Sequence, residues 1–205
     1  MIRLFLFCLF LAGPAMATVD GFTALFNVSG VASDDTLNVR MDPSASSDIV
    51  GELEADAIGV EVLRLDATGN WARVAVDPET MGWVAVRFLE RQPGFLAGSL
   101  PDKLTCSGTE PFWSMSLSED GGLYRSPDES LALYNHVTST RSANRTDRFT
   151  QFFAGASGVV VATLTNGSCF NMMSGAESGW SVELLRSETT IDKSLMLSGC
   201  CSIAQ

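Results

Sequence analysis

Apolar residues along this chain recur as strand-length alternations, not at helical spacing. In the N-terminal half they fall at Leu37 and Val39, at Val60, Val62 and Leu65, at Trp71, Val74 and Val76, and at Trp83, Val84 and Val86. Between these runs stand Asp42-Pro43-Ser44, Ala67-Thr68-Gly69-Asn70 and Asp77-Pro78-Glu79-Thr80, combinations that favour turns. Strand-like runs at that spacing, without a sustained 3.6-residue period, predict a small all-β barrel or sandwich over residues 25–91. The following Gln92-Pro93-Gly94-Phe95-Leu96 and Pro101-Asp102 carry prolines and glycine with no alternation, so residues 92–103 read as a linker.

From residue 104 the alternation returns. Trp113 to Leu117, Leu131 to Val137, the β-branched run Val159 to Leu164, and Trp180 to Leu185 each read as strands, with a turn at Gly121-Gly122. Residues 104–205 are therefore a second β-rich unit. The stretch 138–148 is rich in Thr, Ser and Arg and nearly devoid of apolar residues, which predicts an exposed loop. Its Arg141, Arg145 and Arg148 form a local basic spot that could meet a carboxylate-bearing partner.

The first seventeen residues change the compartment. One arginine, an apolar run from Leu4 to Leu11, a Gly-Pro break and Ala15-Met16-Ala17 have the form of a secretory leader cleaved near Ala17. The apolar run is far shorter than the ~20 residues a membrane span needs, so no span is expected. In an oxidising space Cys106, Cys169, Cys200 and Cys201 read as a disulfide framework confined to the second unit. A bridge between the adjacent Cys200 and Cys201 is sterically strained, so Cys106 and Cys169 are each expected to take one of them.

Charge narrows the partners. The chain carries a formal net charge of -11 and has no Lys/Arg cluster that could track a phosphate backbone, so nucleic acid is not an expected partner. Metal and cofactor chemistry lack a ligand set: no Cys-x-x-Cys spacing occurs, and the one histidine is His136. Catalysis lacks a motif as well. No nucleophile, base and orienting group stand in a recognisable pattern, and nothing selects a carboxylate pair among Glu110, Asp120, Glu129 and Glu177. No catalytic residue is assigned.

The first unit carries five anchors in order: Leu37-Asn38-Val39-Arg40 with Pro43, Ile49 to Leu53, Val60 to Leu63, Asn70 to Val74, and Gly82-Trp83-Val84 with Phe88-Leu89. Over about sixty residues this resembles the bacterial SH3 (SH3b) family. Where that family commonly has Ser-Gly after the first anchor, this chain has Met41-Asp42. The resemblance implies an SH3-like barrel that docks peptidoglycan peptides or envelope protein partners and does not catalyse. Trp71, Trp83 and Arg40 are the candidate ligand-binding residues, aromatic faces and a guanidinium being suited to a shallow groove. At these strand positions, however, a tryptophan of so small a barrel more often fills the core, and that is the first reading of both.

The second unit is similar to a poorly characterised family of Gram-negative envelope proteins and lipoproteins with a β-rich domain. The similarity rests on Cys106 with Gly108-Thr109-Glu110-Pro111-Phe112-Trp113, on Cys169 with Met173-Ser174, and on Leu197 to Cys201. Acidic residues usual around the Met-Ser element are replaced here by Asn171 and Gly175. Glu110, between a turn and two aromatics, is a further candidate binding residue. Pro111 restricts it to extended angles, predicting an extended entry into a strand in which Phe112 or Trp113 points inward. The expectation is a periplasmic, non-enzymatic binding protein. Its alternatives are an inhibitor or accessory factor of a wall-degrading enzyme and, behind it, a wall hydrolase.

Overall fold

The computed structural model describes residues 23–77, 79–96, 98–128, 131–187 and 194–204, and the expected leader lies outside them. The described chain is all-β, with one 3₁₀ turn at Val86–Phe88 and no α-helix among the described residues. Seven strands form the first sheet: β1 (Ala24–Val28), β2 (Thr36–Arg40), β3 (Ile49–Glu54), β4 (Val60–Leu65), β5 (Trp71–Ala75), β6 (Met81–Ala85) and β7 (Leu89–Arg91). Their spatial order is β3-β2-β6-β5-β4-β1-β7. One face buries Ala24, Phe26, Val39, Val62, Ala72, Val74 and Val84 as a core.

The second sheet closes on itself. Strands β8 (Lys103–Thr109), β9 (Phe112–Ser118), β10 (Gly121–Arg125), β11 (Ala132–Arg141), β12 (Arg148–Gly155), β13 (Gly158–Phe170), β14 (Glu177–Ser187) and β15 (Ser194–Ile203) pair in chain order, and β15 returns to β8. This is an eight-stranded antiparallel up-and-down barrel. Its interior is filled, as expected at this strand number, by side chains that include Leu104, Met115, Leu117, Phe153, Leu164, Trp180 and Leu184. Space for a ligand is therefore to be found at the barrel's ends or outside it.

The adjacent cysteines follow from strand geometry. Successive residues point to opposite faces, so Cys201 lies inside, fully buried, while Cys200 faces outward. Cys201 is directly opposite Cys106 across the β15–β8 seam and is bridged to it; Cys200 is bridged to Cys169 at the end of β13. Each of Cys106 and Cys169 takes one of the pair. The bridges fit a protein of an extracellular or periplasmic space. No helix among the described residues is long and apolar enough to cross a membrane.

Three local expectations change. The polar stretch 138–148 is not one loop: β11 runs through Arg141 and β12 begins at Arg148, leaving 142–147 between them. Thr138, Ser139 and Thr140 are exposed, and the strand is carried there by its ladder with Phe152, Gln151 and Thr150 of β12. Gly121-Gly122 opens β10, and the turn is Glu119-Asp120. Finally, Glu110-Pro111 is the two-residue turn of the β8–β9 hairpin, since Thr109 pairs with Phe112, and its peptide bond is cis. The entry to the second sheet is β8, upstream of that motif.

The two sheets touch. Strand β1 is buried on both faces: Ala24 and Phe26 in its own core, Leu25 in the barrel's apolar cluster. Thr23 Oγ1 donates to Gly179 O at 3.1 Å. A side chain at Gly179 would place Cβ 2.0 Å from Thr23 Oγ1, so only glycine permits the approach.

Candidate functional site

Cross-strand register explains why three of the sequence-derived candidates meet. Arg40 is opposite Trp83, Trp83 is opposite Arg73, and Arg73 is opposite Arg64, so one rung crosses β2, β6, β5 and β4. Directly opposed residues in antiparallel strands share a face. Trp71, two residues before Arg73, shares it too. That face is turned away from the apolar core, and neither tryptophan belongs to either core cluster.

The two ends of the rung differ. At the β4 end the barrel covers it. Glu177, whose side chain is 2% exposed, accepts from Arg64 Nε at 3.1 Å and from Arg73 Nε at 3.3 Å. Ser168 Oγ donates to the same carboxylate at 3.0 Å. The guanidinium carbons of Arg64 and Arg73 lie 4.9 Å and 5.5 Å from the centroid of the Trp83 ring. Trp83 is thus buried beneath two arginines that are themselves clamped by the barrel. Nearby, Glu61 Oε1 accepts from the backbone N–H of Ile203 at 3.2 Å. Burial pushes the Glu61 carboxyl up to about 7, against the opposing effect of its hydrogen bonds from Ile203 and Ser202.

At the β2 end the face is open. Arg40 and Trp71 line a groove of about 340 Å³ together with Asn38, Ala85, Arg87 and Phe88, walled by residues of the β1–β2 loop. Its volume is of the size that takes a few residues of peptide or a small ligand. Two cations face it, and the Arg87 guanidinium lies 4.6 Å from the centroid of the Phe88 ring. Arg40 is held by donation from its terminal nitrogen to Ser47 O at 2.7 Å. The Met41-Asp42 loop is itself closed by Met41 N–H to Asp48 O at 2.9 Å and Asp42 N–H to Ser47 Oγ at 2.9 Å. The groove's edge is therefore tied by hydrogen bonds in place of a glycine-bearing loop. Sequence reasoning missed Arg87 and Phe88 as lining residues, although Phe88 stands in the last anchor and Arg87 directly precedes it.

Glu110 lies elsewhere, exposed on the β8–β9 turn, and the motif around it has a structural logic. Gly108 makes room for Trp113, since a Cβ there would sit 2.3 Å from the indole Nε1. Trp113 is buried and Phe112 exposed, as strand alternation requires. Glu110 and Asp120 occupy turns at opposite ends of the seven-residue β9, about 23 Å apart at ~3.3 Å per residue, well beyond the ~5–10 Å of a glycosidase carboxylate pair. Glu177 is engaged between the modules, and Glu129 lies outside the described residues. His136 Nε2 pairs with Ser139 Oγ at 2.8 Å, and its ring packs edge-on to Phe153. Of the basic spot, Arg145 is paired with Asp147, whose carboxyl is held below its usual value by that hydrogen bond. Among the described residues no group of three or more His, Cys, Asp or Glu is placed to hold a metal ion. No protein-family model, curated protein or solved structure matches the chain.

Proposed function

We propose that this is a non-enzymatic binding protein of the cell envelope, exported behind a cleaved leader, whose first module docks a peptidoglycan peptide or an envelope protein. The observation that carries this reading is the groove in which Trp71 and Arg40 meet, on the sheet face opposite the core. A half-buried indole offers a flat apolar face, while Arg40 and Arg87 offer guanidinium groups to a carboxylate. A stem peptide bears both kinds of surface. The barrel, fastened to the other end of the same face, acts as the module's support.

Co-sedimentation with purified peptidoglycan tests it. The wild type is expected to pellet with the polymer, and Trp71→Ala to reduce the bound fraction about tenfold with its melting temperature little changed, Trp71 lying outside both cores. Absence of binding by the wild type, or binding indifferent to Trp71→Ala, would remove the wall-docking reading. Release of soluble muropeptides would point instead to a hydrolase.

A further inference from the structure

The groove of the first module has a floor, two walls and two charged ends, and strand register sets each of them. Ala85 stands two residues beyond Trp83 on β6 and directly opposite Trp71 on β5. On the other side Asn38 stands two residues before Arg40, the partner of Trp83, so Asn38 and Trp71 flank Ala85. Ala85 is 8% exposed yet belongs to neither core, and its cover is the groove's own walls. Backbones two strands apart are about 10 Å from each other. With an indole on one side and an amide on the other, the gap over Ala85 is one extended chain wide. Arg40 lies at one end, and Arg87 lies at the other, in the 3₁₀ turn that follows β6.

These walls are tied before any ligand arrives. Ser29 N–H donates to Phe88 O at 2.9 Å, Asp35 N–H to Ala32 O at 3.0 Å and Val86 N–H to Asn70 O at 2.9 Å, joining the β1–β2 loop, the 3₁₀ turn and the start of β5. The bond from Arg40 to Ser47 O engages one of the five guanidinium N–H donors and fixes the plane of the others. A cleft so held loses little freedom on binding. Its lining carries two guanidinium groups against one carboxylate, Asp35, whose Oδ1 already accepts from Thr36 N–H at 2.8 Å. On a chain of net charge -11 this is a locally cationic cleft.

We propose, building on the docking reading above, that the groove reads the free carboxyl end of a wall stem peptide. The peptide is an extended chain of small residues lying over Ala85 and against Trp71. Its terminal carboxylate sits on Arg40, in the planar two-oxygen geometry that a fixed guanidinium matches, and Arg87 adds attraction from the far end. An internal segment of a chain offers only carbonyls there and leaves the two cations without a counter-charge. The single-chain width excludes bulky side chains.

Titration of the full chain with N-acetyl-trialanine, its C-terminal amide and N-acetyl-trivaline, followed by ¹H–¹⁵N correlation spectra, tests the assignment. The trialanine acid is expected to move the Trp71 indole N–H and the amides of Asn38, Ala85 and Arg87 saturably, with the amide about tenfold and the valine peptide about fivefold weaker. Arg40→Gln should bring acid and amide to near parity, whereas Trp71→Ala should weaken both alike; a merely structural role for Arg40 would also weaken both alike and would overturn the proposal. It fails too if the acid gives no saturable shifts, or if the amide or the valine peptide binds as tightly as the acid. Acid and amide binding alike, with peptidoglycan still pelleting the protein through Trp71, would sink terminus reading and leave wall docking intact. Acid-selective binding without co-sedimentation would remove wall docking and move the recognised terminus from the wall to a protein chain.

Discussion

The two sheets solve the same problem, how to hold a small β-unit together, by different means. The first has no cysteine and an open edge order, and it relies on an apolar core plus a rung of arginines and one tryptophan that is completed by a carboxylate from its neighbour. The second closes all its edges, fills its interior and is bridged at the closing seam. Only the first therefore depends on the other for its polar face. The difference locates the candidate sites: the groove is what remains of the first sheet's outer face after docking, and the barrel, filled inside, keeps its concavities at its two ends and on its outer surface.

The sharpest way to break this contrast is to open the seam. The Cys106–Cys201 bridge spans 95 residues and the Cys169–Cys200 bridge 31. In the loop-closure account the longer bridge is worth roughly 4–5 kcal/mol and about 1 kcal/mol more than the shorter. Denaturant unfolding of the Cys106→Ser/Cys201→Ser variant should show the larger loss and that of Cys169→Ser/Cys200→Ser the smaller. The reverse order would mean that the seam is held by its hydrogen bonds and core, and not by the covalent closure.

Next in size is the clamp between the sheets. Glu177→Ala leaves the guanidinium groups of Arg64 and Arg73 facing each other over Trp83 without their carboxylate. Removing one partner of a buried pair costs about 3–5 kcal/mol, and the partial exposure of Arg64, at 44%, puts the expected loss near the lower end, about 3 kcal/mol. In a double-mutant cycle Arg73→Ala should cost much less in the Glu177→Ala background than alone. Additive losses would dissolve the clamp into independent surface contacts.

How much of this was legible in the chain follows from range. Alternation marks most strands because burial of one face imposes period two within a handful of residues, and the adjacent cysteines reveal opposite faces for the same reason. Trp71 and Arg40 could be singled out, but their meeting in a groove depends on the pairing of β2 with β6 and β6 with β5, which no local pattern encodes. Strand β4 is a clear case. Val62 and Leu63 are both buried, and a register shift between Val62 and Arg64 breaks the alternation where the strand meets the barrel. Glu177 read as one acidic residue among many because its partners are 104 and 113 positions away. Barrel closure was equally hidden: it rests on β15 finding β8, the longest-range pairing in the second sheet.

The smallest expected effect is also the one that separates the contact around Glu61 from the arginine clamp. Burial raises the Glu61 carboxyl from 4.5 to about 7 against the lowering effect of its hydrogen bonds from Ile203 and Ser202, so between those values the folded protein holds a proton that the unfolded chain releases. The contribution is fully present below about 4.5 and lost as pH rises through 7, with roughly 2–3 kcal/mol of it falling between pH 5 and pH 8. The carboxyls of Asp66 and Asp77 act in the opposite sense. Both are held below 3.8 by hydrogen bonds, Asp66 chiefly from Thr68 and Asp77 chiefly from the Glu79 amide, so their stabilisation fades only in acid below this window. Unfolding free energy measured from pH 5 to pH 8 should therefore fall in the wild type and stay flatter in Glu61→Gln, which presents a neutral side chain at every pH. Parallel decline of the two proteins would place the pH dependence elsewhere and leave Glu177, with its two arginines, as the principal polar tie between the sheets.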